Sequence, residues 1–205
     1  MGTSEQNPIT YNFCDLTLAN CKRFLSYKTG RYIVRPIYNL SGMGVGAEFK
    51  TIQAGDFTSV PPGFFWCEVF DGVQFSADYE FVHGVKPYWQ PLSCFYAETD
   101  GHDIYRFRRW VRSDYVPEVP RIFNELSDVR RINIEFIGDR PIEVHLRTTP
   151  DPDYDEIISV WGDQSIDLAK YERMGYSYLE NYDNADGFLS VPRLGFLVRN
   201  HKSGE

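Results

Sequence analysis

Several things are scarce or missing in these 205 residues, and each absence removes a class of protein. No stretch of 18 consecutive apolar residues occurs, so no segment reads as a membrane-spanning helix. The opening residues, MGTSEQNPITYNF, lack the basic start and apolar run of a secretory signal. Met1-Gly2 fits the start of a myristoylation signal, but Gln6 stands where Ser or Thr is required. Cysteine is sparse: Cys14, Cys21, Cys67 and Cys94 are far apart and form no CxxC pair, which predicts reduced thiols in a cytoplasmic protein. Basic residues are the minority, 21 Lys and Arg against 29 Asp and Glu. The resulting net charge of −8 gives no bulk attraction to nucleic acid or to an anionic membrane. Gly-x-Ser-x-Gly is absent, so nothing marks a serine hydrolase, and no motif ties any of the four histidines to a Cys or Ser. There is no internal repeat and no flexible interdomain linker.

What is present suffices for a core. Apolar residues make up 42% of the chain and aromatics 16%, which argues against wholesale disorder. The length allows one sizeable domain or two small lobes.

The most informative stretch is INIEFIGDRPIEVHLR, residues 132–147. Ile132, Ile134 and Phe136 alternate with Asn133, Glu135 and Ile137. Gly138-Asp139-Arg140-Pro141 reads as a turn, and Ile142, Val144 and Leu146 then alternate with Glu143, His145 and Arg147. This predicts a β-hairpin whose second strand sets Glu143, His145 and Arg147 side by side. A Gly138–Arg140 loop would pair Phe136 with Ile142 and Glu135 with Glu143. An even-length loop would place Phe136 beside Glu143. The apolar pattern favours the first register. Two carboxylates, an imidazole and a guanidinium on one face suit a metal and an anion. An ordinary charged outer face of a half-exposed hairpin is the competing reading.

Along the rest of the chain, Leu16 to Tyr27 predicts a short helix with Asp15 as its cap. Tyr32-Ile33-Val34 reads as a buried strand ended by Arg35-Pro36. Ser41-Gly42-Met43-Gly44-Val45-Gly46 is a glycine-rich loop whose backbone amides could approach a phosphate. It joins two extended segments and lacks Gly-Lys-Ser/Thr, which argues against a Walker A loop and a dinucleotide fingerprint. Residues 63–97 predict an antiparallel meander in which Val73, Phe75, Ala77 and Tyr79 alternate with Gln74, Ser76, Asp78 and Glu80. Tyr105 to Arg112 interleaves arginines with aromatics, a pattern that can contact single-stranded nucleic acid, although a charged sheet or helix edge suits an acidic chain better. Short helices are expected at Ile122–Val129 and Ser165–Arg173. Residues 148–155 read as a Pro- and Asp-rich loop, and 191–200 as a final strand.

In order, four segments resemble the ATP-grasp family: Tyr32-Ile33-Val34-Arg35-Pro36, the loop 41–46, Trp66-Cys67-Glu68-Val69-Phe70 with the strand after it, and the pair Ile134-Glu135-Phe136 and Glu143-Val144-His145-Leu146-Arg147. The resemblance covers about residues 31–149. It implies an α+β fold of two lobes with mainly antiparallel sheets and nucleotide between them. The divisions would be a small N-terminal lobe at 1–62, a larger lobe at 63–160, and an extension at 161–205 packed on the body. It further implies ATP and Mg2+ as cofactors, with Glu135 and Glu143 on the metal and Arg147 at the reacting phosphate; His145 could contact a phosphate or select another metal. Arg35, Ser41, Gly42, Met43, Gly44, Val45 and Gly46 would meet the other phosphates, and Glu68, Val69 and Phe70 the adenine. The implied reaction joins a small-molecule or peptide carboxylate to an amine or similar nucleophile through an acylphosphate. The chain departs from the family in having Arg35 for lysine, His145 for asparagine and little sequence before residue 31. Three outcomes stay open: a minimal enzyme, a non-catalytic nucleotide-binding or assembly protein, and a site completed by a second copy or a partner chain.

Overall fold

Period-two alternation dominates this sequence, and the structure follows it with strands. A computed structural model describes residues 28–37, 46–56, 60–99, 104, 106–184, 187 and 189–200. The chain divides into two units, Met1–Val69 and Phe70–Glu205.

In the first unit, β1 (Gly30–Pro36) is the centre of a three-stranded antiparallel sheet, with β2 (Glu48–Ile52) on one side and β3 (Phe64–Glu68) on the other. Alternation sends Tyr32, Val34 and Ile52 to a buried face that Val60, Phe64 and Trp66 complete. β3 therefore pairs with β1, and the meander expected over 63–97 is shared between two sheets.

The second unit holds an eight-stranded antiparallel sheet in the order β10-β11-β9-β6-β5-β4-β7-β8. Its members are β4 (Gln74–Val82), β5 (Tyr88–Thr99), β6 (Phe107–Arg112), β7 (Arg131–Ile137), β8 (Arg140–His145), β9 (Glu156–Trp161), β10 (Ser177–Asp183) and β11 (Arg193–Arg199). One face of the β5-β4-β7 region is apolar. Ala77, Tyr79, Cys94, Ile132, Ile134 and Phe136 are buried there. The segment around a 3₁₀ turn (Arg121–Glu125) is tied to this region: Tyr79 donates its hydroxyl to the Pro117 carbonyl at 2.6 Å, and the Trp89 indole donates to the Phe123 carbonyl at 3.1 Å. These bonds let two large amphipathic side chains be buried without an orphaned polar atom.

The α+β expectation is corrected. Among the described residues the only α-helix is α1 (Leu168–Arg173), six residues capped by the Asp167 side chain on the Lys170 amide. Where a helix was expected at Ile122–Val129, Pro120 precedes a single 3₁₀ turn, and the helix expected from Ser165 begins only at Leu168. The described residues are mostly antiparallel sheet, and among them the substantial helical content of the ATP-grasp fold is lacking. The physical reason is local: β-branched and aromatic residues at period two outnumber segments with a 3.6-residue apolar stripe. The helix expected at Leu16–Tyr27 lies outside the described residues. Among the described residues, no helix is long and apolar enough to cross a membrane.

Candidate functional site: a polar grid on the eight-stranded sheet

The β7–β8 hairpin turns through two residues, with Ile137 the Cα partner of Arg140 and Phe136 that of Pro141. Continued without interruption, this count would set Glu135 against Ile142. A bulge at Ile142 intervenes instead, and Glu135 is the partner of Glu143, Ile134 of Val144, and Asn133 of His145. The bulge keeps Ile134 and Val144 on the apolar face and the carboxylates on the other. Leu146, expected to join the apolar layer, lies past the end of β8 and is 45% exposed.

Cross-strand pairing extends this polar face inward as a grid. One row runs His145, Asn133, Asp78, Ser93; the next runs Glu143, Glu135, Ser76, Phe95, Arg112. The Gln74 amide donates to Glu135 at 3.0 Å, and His145 Nε2 lies 3.1 Å from Glu143 Oε1. The His145 and Glu143 side chains retain 18% and 15% exposure, enough to be reached by a ligand while largely desolvated. Asn133 donates to Ser76 Oγ at 3.0 Å and to Asp78 Oδ1 at 2.9 Å.

A strap, residues 146–155, leaves the edge strand β8 and crosses this face to reach β9. The Thr149 amide donates to Asp78 Oδ1 at 2.8 Å. Arg112 holds Asp155 at 2.8 Å and Asp153 at 2.5 Å, while Tyr154 packs against the cluster of Phe95, Ile157, Phe196 and Val198. Between these anchors lies Asp151, 3.5 Å from Arg193, whose other arm reaches Asp183 at 3.2 Å. Burial pushes the Asp151 carboxyl above its ordinary pKa against the pull of Arg193 and Arg147, with Asp183 and Asp78 adding to the rise. Arg147 is exposed and donates to the Thr148 carbonyl at 2.9 Å.

The residues singled out from sequence are distributed as follows. Glu135 and Glu143 are Cα partners on the grid, His145 is in the adjacent row 3.1 Å from Glu143, and Arg147 follows two residues later in the strap. In the first unit, Arg35 is the β-partner of Phe65 and holds its guanidinium 5.8 Å from that ring's centroid; Glu68 is the partner of Tyr32. Gly46 has φ +83°, a left-handed conformation that suits glycine, and a Cβ there would lie 3.2 Å from Pro36. Ser41, Gly42, Met43, Gly44 and Val45 lie outside the described residues. Val69 is the last residue of the first unit and Phe70 the first of the second, where the Arg140 guanidinium sits 4.8 Å from the Phe70 ring centroid.

Asp78, Asn133, Ser76, Ser93 and Thr149 were not singled out as site residues. The alternation of Gln74, Ser76 and Asp78 was visible, but only strand order shows that this row abuts Glu135. In the arginine–aromatic stretch, Arg108 is exposed. Arg106 pairs with Asp163, Arg109 with Glu98 and Glu156, and Arg112 with the strap aspartates, so these charges are occupied internally. Tyr105 is outside the described residues.

As a cation site the grid offers hard oxygen donors. Among the described residues, no three His, Cys, Asp or Glu side chains converge to form a protein-only metal cage. Magnesium bound with a nucleotide does not need one, because it commonly takes one or two carboxylates and completes its shell with phosphate oxygens and water. The donor set of Glu135 and Glu143 fits that use. No protein-family model, curated protein or solved structure matches the chain.

Proposed function

We propose that the chain binds ATP with magnesium and joins a carboxylate to an amine or similar nucleophile through an acylphosphate. The observation that carries this reading is the Glu135–Glu143 pair, two carboxylates directly opposed on one sheet face with His145 next in line. Like charges set opposite one another weaken a sheet, so the arrangement has a ready explanation in a cation that joins them. The order of the four sequence segments supports the same reading. The helical ATP-grasp fold does not, and forms no part of the proposal.

In this reading Glu135 and Glu143 hold the cation, and Arg147 and His145 face the transferring phosphate. Magnesium held there would offset negative charge on the phosphate oxygens. The rest is positioning, because phosphoryl transfer asks a protein mainly for alignment and charge stabilisation. The substrates are a small-molecule or peptide carboxylate and an amine, and the setting is cytoplasmic. The buried free thiol of Cys94 supports that setting.

Calorimetric titration of the full chain with magnesium and ATP tests the reading. Saturable binding that requires the metal is the expected result, and no heat at millimolar nucleotide from folded protein would sink it. A screen of amino acids, short peptides and polyamines for ADP release then identifies the substrates.

One observation favours a second reading, a non-catalytic nucleotide-binding or assembly protein. Glu135 already accepts from Gln74, and Glu143 already faces His145, so the carboxylates take part in an internal polar layer. Nucleotide binding without ADP release across the whole screen would favour this version.

A further inference from the structure

We infer that Asp78 is a positioning residue of the carboxylate face, fixing the strap that carries Arg147 against the row of Glu135, Glu143 and His145. The inference rests on the nucleotide reading above. Asp78 is only 6% exposed, and its carboxylate gathers donors from three separate segments. Oδ1 accepts from Asn133 on β7 at 2.9 Å and from the Thr149 amide of the strap at 2.8 Å; Oδ2 accepts from Ser93 on β5 at 3.2 Å.

Burying a carboxylate is costly, and an apolar side chain would fill the same space more cheaply. What the carboxylate adds is direction: it fixes the positions of two neighbours at once. Asn133 is the Cα partner of both Asp78 and His145, so the bond on that side aligns the row that ends in the imidazole. Thr149 is two residues beyond Arg147, so the bond on the other side fixes where the strap lies as the arginine leaves β8. The strap also braces itself. Arg147 donates to the Thr148 carbonyl, and the Asp151 amide donates to Thr149 Oγ1 at 3.3 Å. A displacement at Thr149 is therefore transmitted to Arg147 and not absorbed by the loop.

The test compares magnesium·ATP with magnesium·ADP in calorimetric titrations of the full chain, because a guanidinium placed on the terminal phosphate distinguishes the two. Wild type is expected to prefer ATP by about tenfold or more. Asp78→Ala and Arg147→Met should each bring the preference close to one while sparing ADP affinity, and the double variant should lose no more than either alone. Asp78→Asn keeps an acceptor toward Thr149 and should recover most of the preference. Thr149→Pro removes both the strap amide and the Oγ1 brace with Asp78 intact and should reproduce Asp78→Ala, whereas Thr149→Ala removes the brace alone and should keep the preference; the pair decides the matter if Asp78→Ala does not fold.

A folded Asp78→Ala or Thr149→Pro protein that keeps the full preference for ATP overturns the role of Asp78 and leaves the nucleotide reading standing. Equal binding of the two nucleotides by wild type has the same consequence. Absence of magnesium-dependent nucleotide binding in wild type overturns both.

Discussion

Glu135 on β7 faces Glu143 on β8 because Ile142 is expelled from the ladder between them. The turn alone sets the opposite register, in which every side chain of β8 beyond the turn would change face. Burial of Ile134 opposite Val144 outweighs the cost of one irregular residue. Deleting Ile142 should therefore give a regular two-residue hairpin that keeps Glu135 opposite Glu143. The expected protein is folded, and short-range nuclear Overhauser contacts appear between the Cα protons of Ile134 and Val144, the non-hydrogen-bonded pair next to Glu135 and Glu143. Loss of those contacts in a folded deletion variant would show that the bulge does not set the register.

The carboxylate pair itself is tested by charge. Glu143→Gln keeps the shape and removes one negative charge from a half-buried site. Magnesium·ATP affinity should fall by roughly tenfold or more, about 1.4 kcal/mol. Fold stability should change by no more than about 1 kcal/mol, as for most surface substitutions. Calorimetry and urea unfolding on the same samples separate the two effects. Unchanged affinity would remove Glu143 from the site.

The hairpin was legible in sequence because alternation is local, and a strand's face follows from it directly. The order of strands was not. The placement of β3 beside β1, and of β4 beside β7, depends on long-range pairing that no short window records. The same is true of the grid: Asp78 and Asn133 are 55 residues apart in the chain yet hydrogen-bonded. The helix read from the residues at Ile122–Val129 is reduced to a 3₁₀ turn at 121–125, which has no side-chain cap at Pro120 and is five residues long. The strap was read as a loop, correctly in conformation. Its three aspartates at 151, 153 and 155 gave no sign of the arginines beneath them, Arg193 and Arg112, which lie on distant strands.

A close approach of strands supplies a third prediction. A Cβ at Gly195 on β11 would stand 2.2 Å from the Leu179 carbonyl oxygen on β10 and 2.9 Å from the Tyr178 hydroxyl. The oxygen is backbone and cannot yield without moving the strand. Gly195→Ala should cost roughly 3 kcal/mol, at the upper end for overpacking. Gly55→Ala makes a useful comparison: φ is +79° but nothing lies within 4 Å, so backbone strain alone should cost about 1–2 kcal/mol. Equal losses in urea unfolding would show that β10 and β11 do not approach this closely.

Two carboxylates of the second unit should titrate with opposite effects on stability. Glu156, 3% exposed, receives Arg109 at 2.9 Å, Arg199 at 2.5 Å and the Tyr176 hydroxyl. Burial works against its ionisation, yet the Tyr176 hydroxyl, Arg199 and Arg109 together hold its pKa below the ordinary 4.5. Its folded pKa is depressed, so its contribution is full above pH 4.5 and is lost as pH falls through the folded value. Asp151 is the reverse case. Burial raises its pKa above the ordinary 3.8, so the folded state binds its proton more tightly. The unfavourable contribution is complete above the raised value and vanishes below pH 3.8. At pH 7, Glu156→Gln should lose about 3 kcal/mol, because two guanidiniums then face a neutral amide in a buried site. Asp151→Asn should be more stable than wild type at the same pH. Both differences should shrink on acidification toward pH 3, measured by urea unfolding at half-unit pH intervals. An Asp151→Asn protein less stable than wild type at pH 7 would show that Arg193 outweighs burial at that carboxyl.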